Sequence, residues 1–327
     1  MTVLVTGADG FVGAHLVAEL LAAGRETVAV HRGSPVGLRA AGLLDGAGLA
    51  PVLARADVTD PVQVDEVLDR YRPTLVVHAA AATPDRRIER EQAARVLCTN
   101  ELGTLHVLLA AARCGVRRVV YVSSTAVYAG GDPAALLDED AELSDPGGLY
   151  AVSKLGSERL CRWATQQFGL DTRSVRVGPV YGPFERPTAS RPAMSIVLEA
   201  IRLALAGEPL RCAAPSFARD FIHGHDTARA ILGLLDARAL SHSVYNLAGE
   251  RVTMERLLPA VVAAVPGTEV AWVDSPEEAN IPGVVAGAPS RIVDTGRLRA
   301  AVGFTETFAI EDGVRDVVSW LRRPSGT

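Results

Sequence analysis

The stretch Thr6-Gly7-Ala8-Asp9-Gly10-Phe11-Val12-Gly13 constrains this chain more than any other. It directly follows an aliphatic run, Val3–Thr6. It directly precedes Val12–Ala23, where Val12, Leu16, Val17, Leu20 and Leu21 fall on one stripe at helical spacing. Glycines three apart at a strand–helix junction have a joint meaning. Gly7 permits a tight turn, Gly10 lets the backbone approach a pyrophosphate, and Gly13 lets the helix pack on the strand. The free N–H groups at the helix start, around Phe11 and Val12, then face the phosphates. A glycine-rich turn alone can simply join two elements. Its place at residue 7, inside a strand–helix–strand context, turns the reading towards a dinucleotide site.

That context repeats. Runs at Thr27–His31, Pro51–Ala56, Thr74–Ala79, Arg118–Ser123 and Thr172–Val177 alternate with helical stretches such as Pro61–Tyr71, Gln92–Arg113 and Tyr150–Phe168. The alternation predicts an α/β fold with a doubly wound, Rossmann-type parallel sheet. After Val177 the pattern changes. Gly178–Pro192 carries Pro179, Pro183, Pro187 and Pro192 and reads as an irregular loop. Helical patterns return at Ala193–Ala206, Asp226–Leu235, Thr253–Val265 and Ile310–Arg322, with short strand candidates at Val244–Leu247 and Glu269–Val273. The expected organisation is a dinucleotide-binding domain over 1–177, with 219–247 returning to it. A smaller mixed α/β substrate domain is expected over 178–327.

Composition removes other classes. With 48% hydrophobic and 22% charged residues the 327-residue chain has material for a sizeable core, and disorder is excluded. A net charge of -5 from interspersed residues offers nothing to nucleic acid or an anionic membrane. No apolar run is long enough to span a bilayer, and no secretory signal pattern opens the chain, so a cytoplasmic location is expected. Cys98, Cys114, Cys161 and Cys212 lack CxxC spacing and read as buried thiols. His223-Gly224-His225 has no third ligand cluster near it, so no metal is expected. Trp163, Trp272 and Trp320 lie in apolar patterns and are expected in core or interface packing.

The second strand ends in His31-Arg32-Gly33-Ser34, without the carboxylate that would hold the ribose hydroxyls of NAD. Arg32 suits a 2′-phosphate, which favours NADP over NAD. Asp57-Val58 reads either as an adenine-edge contact or as part of a helix cap before Pro61.

Tyr150 and Lys154 stand four apart on a helical stretch and therefore share a face. A free tyrosine titrates near ~10, too high for ready proton exchange at neutral pH. A neighbouring ammonium and a cationic nicotinamide would stabilise the phenolate. Ser123-Ser124-Thr125, at the end of a strand, supplies hydroxyls where ligands bind in such folds. Alone, a Tyr–Lys pair is an exposed helix pair; with the glycine loop and the hydroxyl-bearing strand end it reads as catalytic.

Taken together, Thr6–Gly13, Asp57-Val58, His78-Ala79-Ala80-Ala81, Asn100 with Gly103-Thr104, Ser123–Tyr128, Tyr150–Lys154, Val180-Tyr181-Gly182-Pro183, Arg219–His223 and Tyr245-Asn246-Leu247 resemble the extended short-chain dehydrogenase/reductase family, in its sugar-nucleotide branch. The resemblance covers nearly the whole chain. It implies Ser124, Tyr150 and Lys154 as catalytic residues, with Asn100 in support. It places Ala79, Ala80 and Ala81 along an NAD(P) cofactor, and it implies a homodimer. Substrate contacts are expected from Thr125, Tyr181, Arg186 and Arg219.

Departures narrow the chemistry. Thr125 and Ala126 stand where the family's 4,6-dehydratases carry an Asp-Glu pair, so dehydration is not expected. Pro179 replaces an asparagine, and Cys212–Ala218 lacks the usual Gly-Asp-Gly. The expectation is hydride transfer at a secondary alcohol or ketone of a nucleotide-linked sugar, as a 4-ketoreductase or 4-epimerase. A dehydrogenase or reductase of a smaller sugar acid or carbonyl is the alternative, and a non-catalytic dinucleotide-binding regulator ranks below both.

Overall fold

A computed structural model describes residues 1–44, 49–128, 136–141, 143, 147–285 and 292–323. The chain opens with β1 (Val3–Thr6), α1 (Phe11–Ala22), β2 (Thr27–His31), α2 (Val36–Ala40), β3 (Val52–Arg55), α3 (Pro61–Tyr71) and β4 (Leu75–His78). It continues through α4 (Arg86–Glu91), α5 (Ala93–Leu97), a π-helical turn (Cys98–Leu102), α6 (Gly103–Arg113), β5 (Arg118–Ser124), a 3-10 turn (Thr125–Tyr128), β6 (Leu136–Leu137), α7 (Leu149–Phe168) and β7 (Asp171–Val177). Then come β8 (Val180–Tyr181), α8 (Ile196–Leu205), β9 (Leu210–Cys212), β10 (Ala218–His223), α9 (Gly224–Asp236), β11 (Val244–Leu247) and β12 (Glu250–Thr253). The last elements are α10 (Met254–Ala264), β13 (Val270–Trp272), β14 (Ile292–Val293), α11 (Gly296–Val302) and α12 (Ile310–Leu321).

Seven strands pair in parallel in the order β11-β7-β5-β4-β1-β2-β3. Period-2 alternation sends their aliphatic side chains into two cores. Val3, Val5, Val77 and Val120 meet Leu16 and Leu20 of α1 and Ile231 and Leu234 of α9 on one face. Leu4, Val76, Val119 and Tyr121 meet Leu68 of α3, Leu108 of α6 and Cys161 of α7 on the other. The order reverses at β1, between β4 and β2, and that opens a crevice at the carboxyl ends of the strands.

β8 leaves the end of β7 and joins β10 and β12 in a three-stranded sheet. Behind it α8, α10 and α12 build a third core around Ile201, Leu257, Val261 and Val314. The chain then returns to the main sheet through α9 and β11.

Helix ends follow local chemistry. Asp60 caps α3, accepting from Val62 and Gln63, with Pro61 in the first turn where a missing N–H costs nothing. The cap before Pro61 is therefore Asp60, and Asp57 instead accepts from the Thr59 amide and hydroxyl. Ser195 caps α8, so the helix expected from Ala193 begins at Ile196. Gln92–Arg113 is broken into α5, the π turn and α6. Of the tryptophans, Trp163 (37% exposed) and Trp272 (46%) stand partly in solvent rather than in a core, while Trp320 packs edge-on against Phe184. Among the described residues no helix is long and apolar enough to cross a membrane.

Candidate active site

The glycine loop joins β1 to α1 as its spacing predicts. Gly7 has φ +65°, and a Cβ there would sit 2.6 Å from the Ala80 backbone. A Cβ on Gly13 would come 2.1 Å from the Gly7 carbonyl oxygen. The first amides of α1 have no acceptor within the helix and open onto the crevice, which fits a phosphate group.

Two cavities meet at this loop. One extends over the ends of β2 and β3 and is lined by His31, Arg32, Asp57, Val58 and Ala79–Ala82. The other is lined by Phe11, Val12 and Gly13 and reaches Ser124, Tyr150 and Lys154. The structure thus brings together every residue expected at the cofactor except Asn100. Together the cavities offer the chemistry a dinucleotide needs: Arg32 and Asp57 at one end, the start of α1 in the middle, and the Ser124 and Tyr150 hydroxyls at the other end.

Asn100 acts one layer out. The π turn aims its buried amide at Ala82, whose N–H it accepts at 2.7 Å and to whose carbonyl it donates at 3.0 Å. It also donates to Ser153 Oγ of α7 at 2.9 Å. Asn100 therefore holds the cavity wall after β4 against the helix that carries Tyr150. His78 is a satisfied core imidazole. Its nitrogens meet Thr6 and Thr104, and burial, then the nearby Lys154 charge, lowers its pKa to about 3.

Ser124 ends β5, its Oγ accepts the Ala126 amide at 3.1 Å, and it lines the same cavity as Tyr150. Its neighbour Ser123 points away and donates to Glu158 at 2.6 Å. Lys154 Nζ donates to the Val122 carbonyl at 2.8 Å and lies 4.9 Å from the Tyr121 ring centroid and 5.8 Å from that of Tyr150. Burial pushes the Lys154 ammonium down to about 7, against the pull of the Glu158 carboxylate. Glu158 is itself clamped by Arg176, with Nη2 to Oε2 at 2.8 Å and Nε to Oε1 at 3.0 Å.

The expected lowering of the Tyr150 pKa by the ammonium is not what the protein alone produces. Burial raises this phenol, and the nearby Ser124 hydroxyl and the Arg191 charge only partly oppose it. Lys154, half neutral near pH 7 and turned to Val122, is not among the groups that move it.

The expected substrate residues scatter. Thr125 follows Ser124 but lines neither cavity. Tyr181 is buried in the third core; a Cβ on Gly313 would come 2.1 Å from its hydroxyl. Arg219 stacks on Phe217, 4.1 Å from the ring centroid, and also lies outside both cavities. Arg186 does reach the crevice, but at the glycine loop, where it pairs with Asp9 at 2.8 Å.

Three further features stand out, and the first, Arg191, reads in the sequence, with Glu185 and Arg186, as either an anionic-substrate contact or a solvated loop residue. Arg191 lines the cavity beside Tyr150, 5.1 Å from the Phe11 ring centroid. The buried Glu185 carboxylate holds it at 2.5 Å and also receives the Ser195 amide and hydroxyl. Glu89 accepts the Tyr150 amide at 2.9 Å and so caps the start of α7 from a distant helix. His15, His223 and His225 pack together between α1, α9 and α12, with His225 on Glu19 at 2.7 Å. Among the described residues no group of three or more His, Cys, Asp or Glu is placed to hold a metal ion.

Known proteins carry the same plan. A dTDP-4-dehydro-6-deoxy-D-allose reductase of Streptomyces bikiniensis is 32% identical, over 98% of this chain and 96% of its own length. MoeE5, solved with UDP-glucuronic acid and NAD, is 30% identical, with TM-score 0.79 and 99% of each chain covered. The UDP-glucose 4-epimerase of Thermus thermophilus, solved with NAD, is 27% identical, with TM-score 0.77 and 99% of each chain covered. Residues 3–248, which hold the glycine loop, both cavities' main walls and the Ser124–Tyr150–Lys154 set, match the NAD dependent epimerase/dehydratase family, and the chain belongs to that family.

Proposed function

We propose that this enzyme is a 4-ketoreductase acting on a nucleotide-linked hexose, with NADP(H) as its exchangeable hydride donor. The observation that carries the reading is the phenol of Tyr150. It faces the cavity beside Ser124 and is protonated at neutral pH, as any tyrosine titrating at or above about 10 is, and that is the state a proton donor needs. When bound, a reduced nicotinamide supplies a hydride to the sugar carbonyl carbon. Ser124 Oγ holds the carbonyl oxygen, and Tyr150 Oη passes its proton to that oxygen as it becomes a hydroxyl. Lys154, its Nζ 5.8 Å from the Tyr150 ring centroid, would stabilise the phenolate left behind by turning from the Val122 carbonyl.

Thr125 and Ala126 offer no carboxylate pair for water loss, which supports a reductase over a dehydratase. The relative with a reductase name supports the same choice. Arg32 supports NADP: its half-exposed guanidinium lines the ribose-end cavity, with Asp57 opposite at 3.9 Å. The second reading is a 4-epimerase with retained NAD. It is favoured by the solved epimerase with NAD, which shares this chain's full length. A homodimer through the π turn, α6 and α7 also belongs to the proposal, since Leu102, Leu109, Val152, Trp163 and Phe168 expose apolar surface there. A thermal-shift screen of nucleotide sugars with NADPH and with NADH tests the reading. Stabilisation by dTDP- or UDP-linked sugars only in the presence of cofactor is expected. No stabilisation by any nucleotide sugar would reject it.

A further inference from the structure

The two cavities share a short stretch of wall. On one side lie Gly7, Asp9 and Gly10; on the other lies the loop between β8 and α8, with Arg186 and Ser190. Read as one dinucleotide groove, the reading on which this inference rests, that stretch is where the pyrophosphate must lie. Among the described residues, Asp9 and Arg186 are the only charged side chains common to both cavities.

A carboxylate beside a pyrophosphate is unfavourable unless its charge is cancelled. Asp9 is heavily engaged. Its Oδ1 accepts the amides of Gly37 at 2.6 Å and Leu38 at 3.1 Å and so fixes the start of α2. Its Oδ2 accepts from Arg186 Nη2 at 2.8 Å, and the same nitrogen reaches the Asp9 carbonyl at 3.2 Å. Arg186 Nε and Nη1 have no hydrogen-bond partner among the described residues. The loop that carries Arg186 is tied to the wall after β4, because Thr83 donates its amide to the Ser190 carbonyl at 2.7 Å.

We propose that Arg186 is a pyrophosphate-binding residue of the cofactor groove and that Asp9 anchors it there. The ion pair cancels the carboxylate beside the phosphates. The unbonded edge of the guanidinium is left to donate to a phosphate oxygen opposite the helix-start amides. The residue expected to read the substrate would then latch the β8–α8 loop over the cofactor.

The test is binding, without turnover. ADP-ribose carries the pyrophosphate and is titrated by calorimetry; adenosine lacks it and is followed by ligand-observed NMR. Arg186→Gln should lose about 10- to 100-fold in ADP-ribose affinity and leave adenosine unchanged. Asp9→Asn, added to Arg186→Gln, should recover part of that loss, because the amide keeps an acceptor for Gly37 and Leu38 but removes the uncancelled charge. Unchanged ADP-ribose affinity in Arg186→Gln, an equal loss for adenosine, or a double variant no better than the single would overturn the proposal. A wild type that binds neither ADP-ribose nor NADPH would refute the groove reading itself.

Discussion

Replacing Lys154 with methionine should stabilise the fold while abolishing turnover. The ammonium is buried against Tyr121, Tyr150 and Val122, and burial pushes its pKa from 10.5 to about 7. The unfolded chain keeps this proton up to about pH 10.5, whereas the folded chain releases it near 7. Between those values the unfolded state binds more protons, so the Lys154 contribution to stability rises with pH. The cost is full below pH 7 and gone above about 10.5. A gap of about 3.5 pH units, at about 1.4 kcal/mol each, caps that cost at about 5 kcal/mol. Methionine has similar length and no charge, but it leaves the Val122 carbonyl without its 2.8 Å donor, a loss of about 1–3 kcal/mol. Lys154→Met should therefore gain about 2–4 kcal/mol at pH 6.5. That gain should shrink by about 3 kcal/mol by pH 9.5. Urea denaturation of both proteins at the two pH values, after removal of bound nucleotide, measures the difference. A difference that does not change between pH 6.5 and 9.5 would refute the buried-cation argument.

Three further outcomes follow from the same geometry. Tyr150→Phe should cut turnover about a hundredfold or more and leave cofactor affinity near wild type, as read by steady-state kinetics and NADPH titration. Glu158→Gln leaves the buried Arg176 without its carboxylate and should cost about 3–5 kcal/mol in denaturant unfolding; an unfolding midpoint equal to wild type would contradict the clamp. Arg32→Ala should lose roughly ten- to a hundredfold in NADP(H) affinity and barely change NAD(H). Flat affinities for both would make Arg32 a solvated loop residue.

Much of this site was readable because its determinants are local. Gly7, Gly10 and Gly13 act through a single short turn, and Tyr150 and Lys154 share a face because a helix repeats every ~3.6 residues. The sheet was readable for the same reason, since buried parallel strands are written as continuous aliphatic runs. What could not be read depends on partners far apart in sequence. Asn100 meets Ala82 and Ser153, and Glu89 caps the amide of Tyr150; no spacing rule connects those positions. Loop residues fare worst. Arg186 lies in a proline-rich stretch with no period, and its partner, Asp9, is 177 residues away. Asp9 stands in plain view within the glycine loop, and at the phosphate site proposed there an acidic residue calls for a cation opposite. For Tyr150, proximity on a helix face says nothing about burial, which in the protein alone is the larger influence on the phenol.

The central claim is net reduction of a nucleotide-linked 4-keto sugar by an exchangeable cofactor. It is tested most directly by incubating the enzyme with a dTDP-linked 4-keto-6-deoxyhexose and NADPH bearing deuterium at the nicotinamide C4, then weighing the sugar product. One deuterium on sugar C4, with stoichiometric loss of NADPH and none of this in Tyr150→Phe, is the predicted result. A sugar epimerised without deuterium, with NAD co-purifying tightly with the protein, would contradict it.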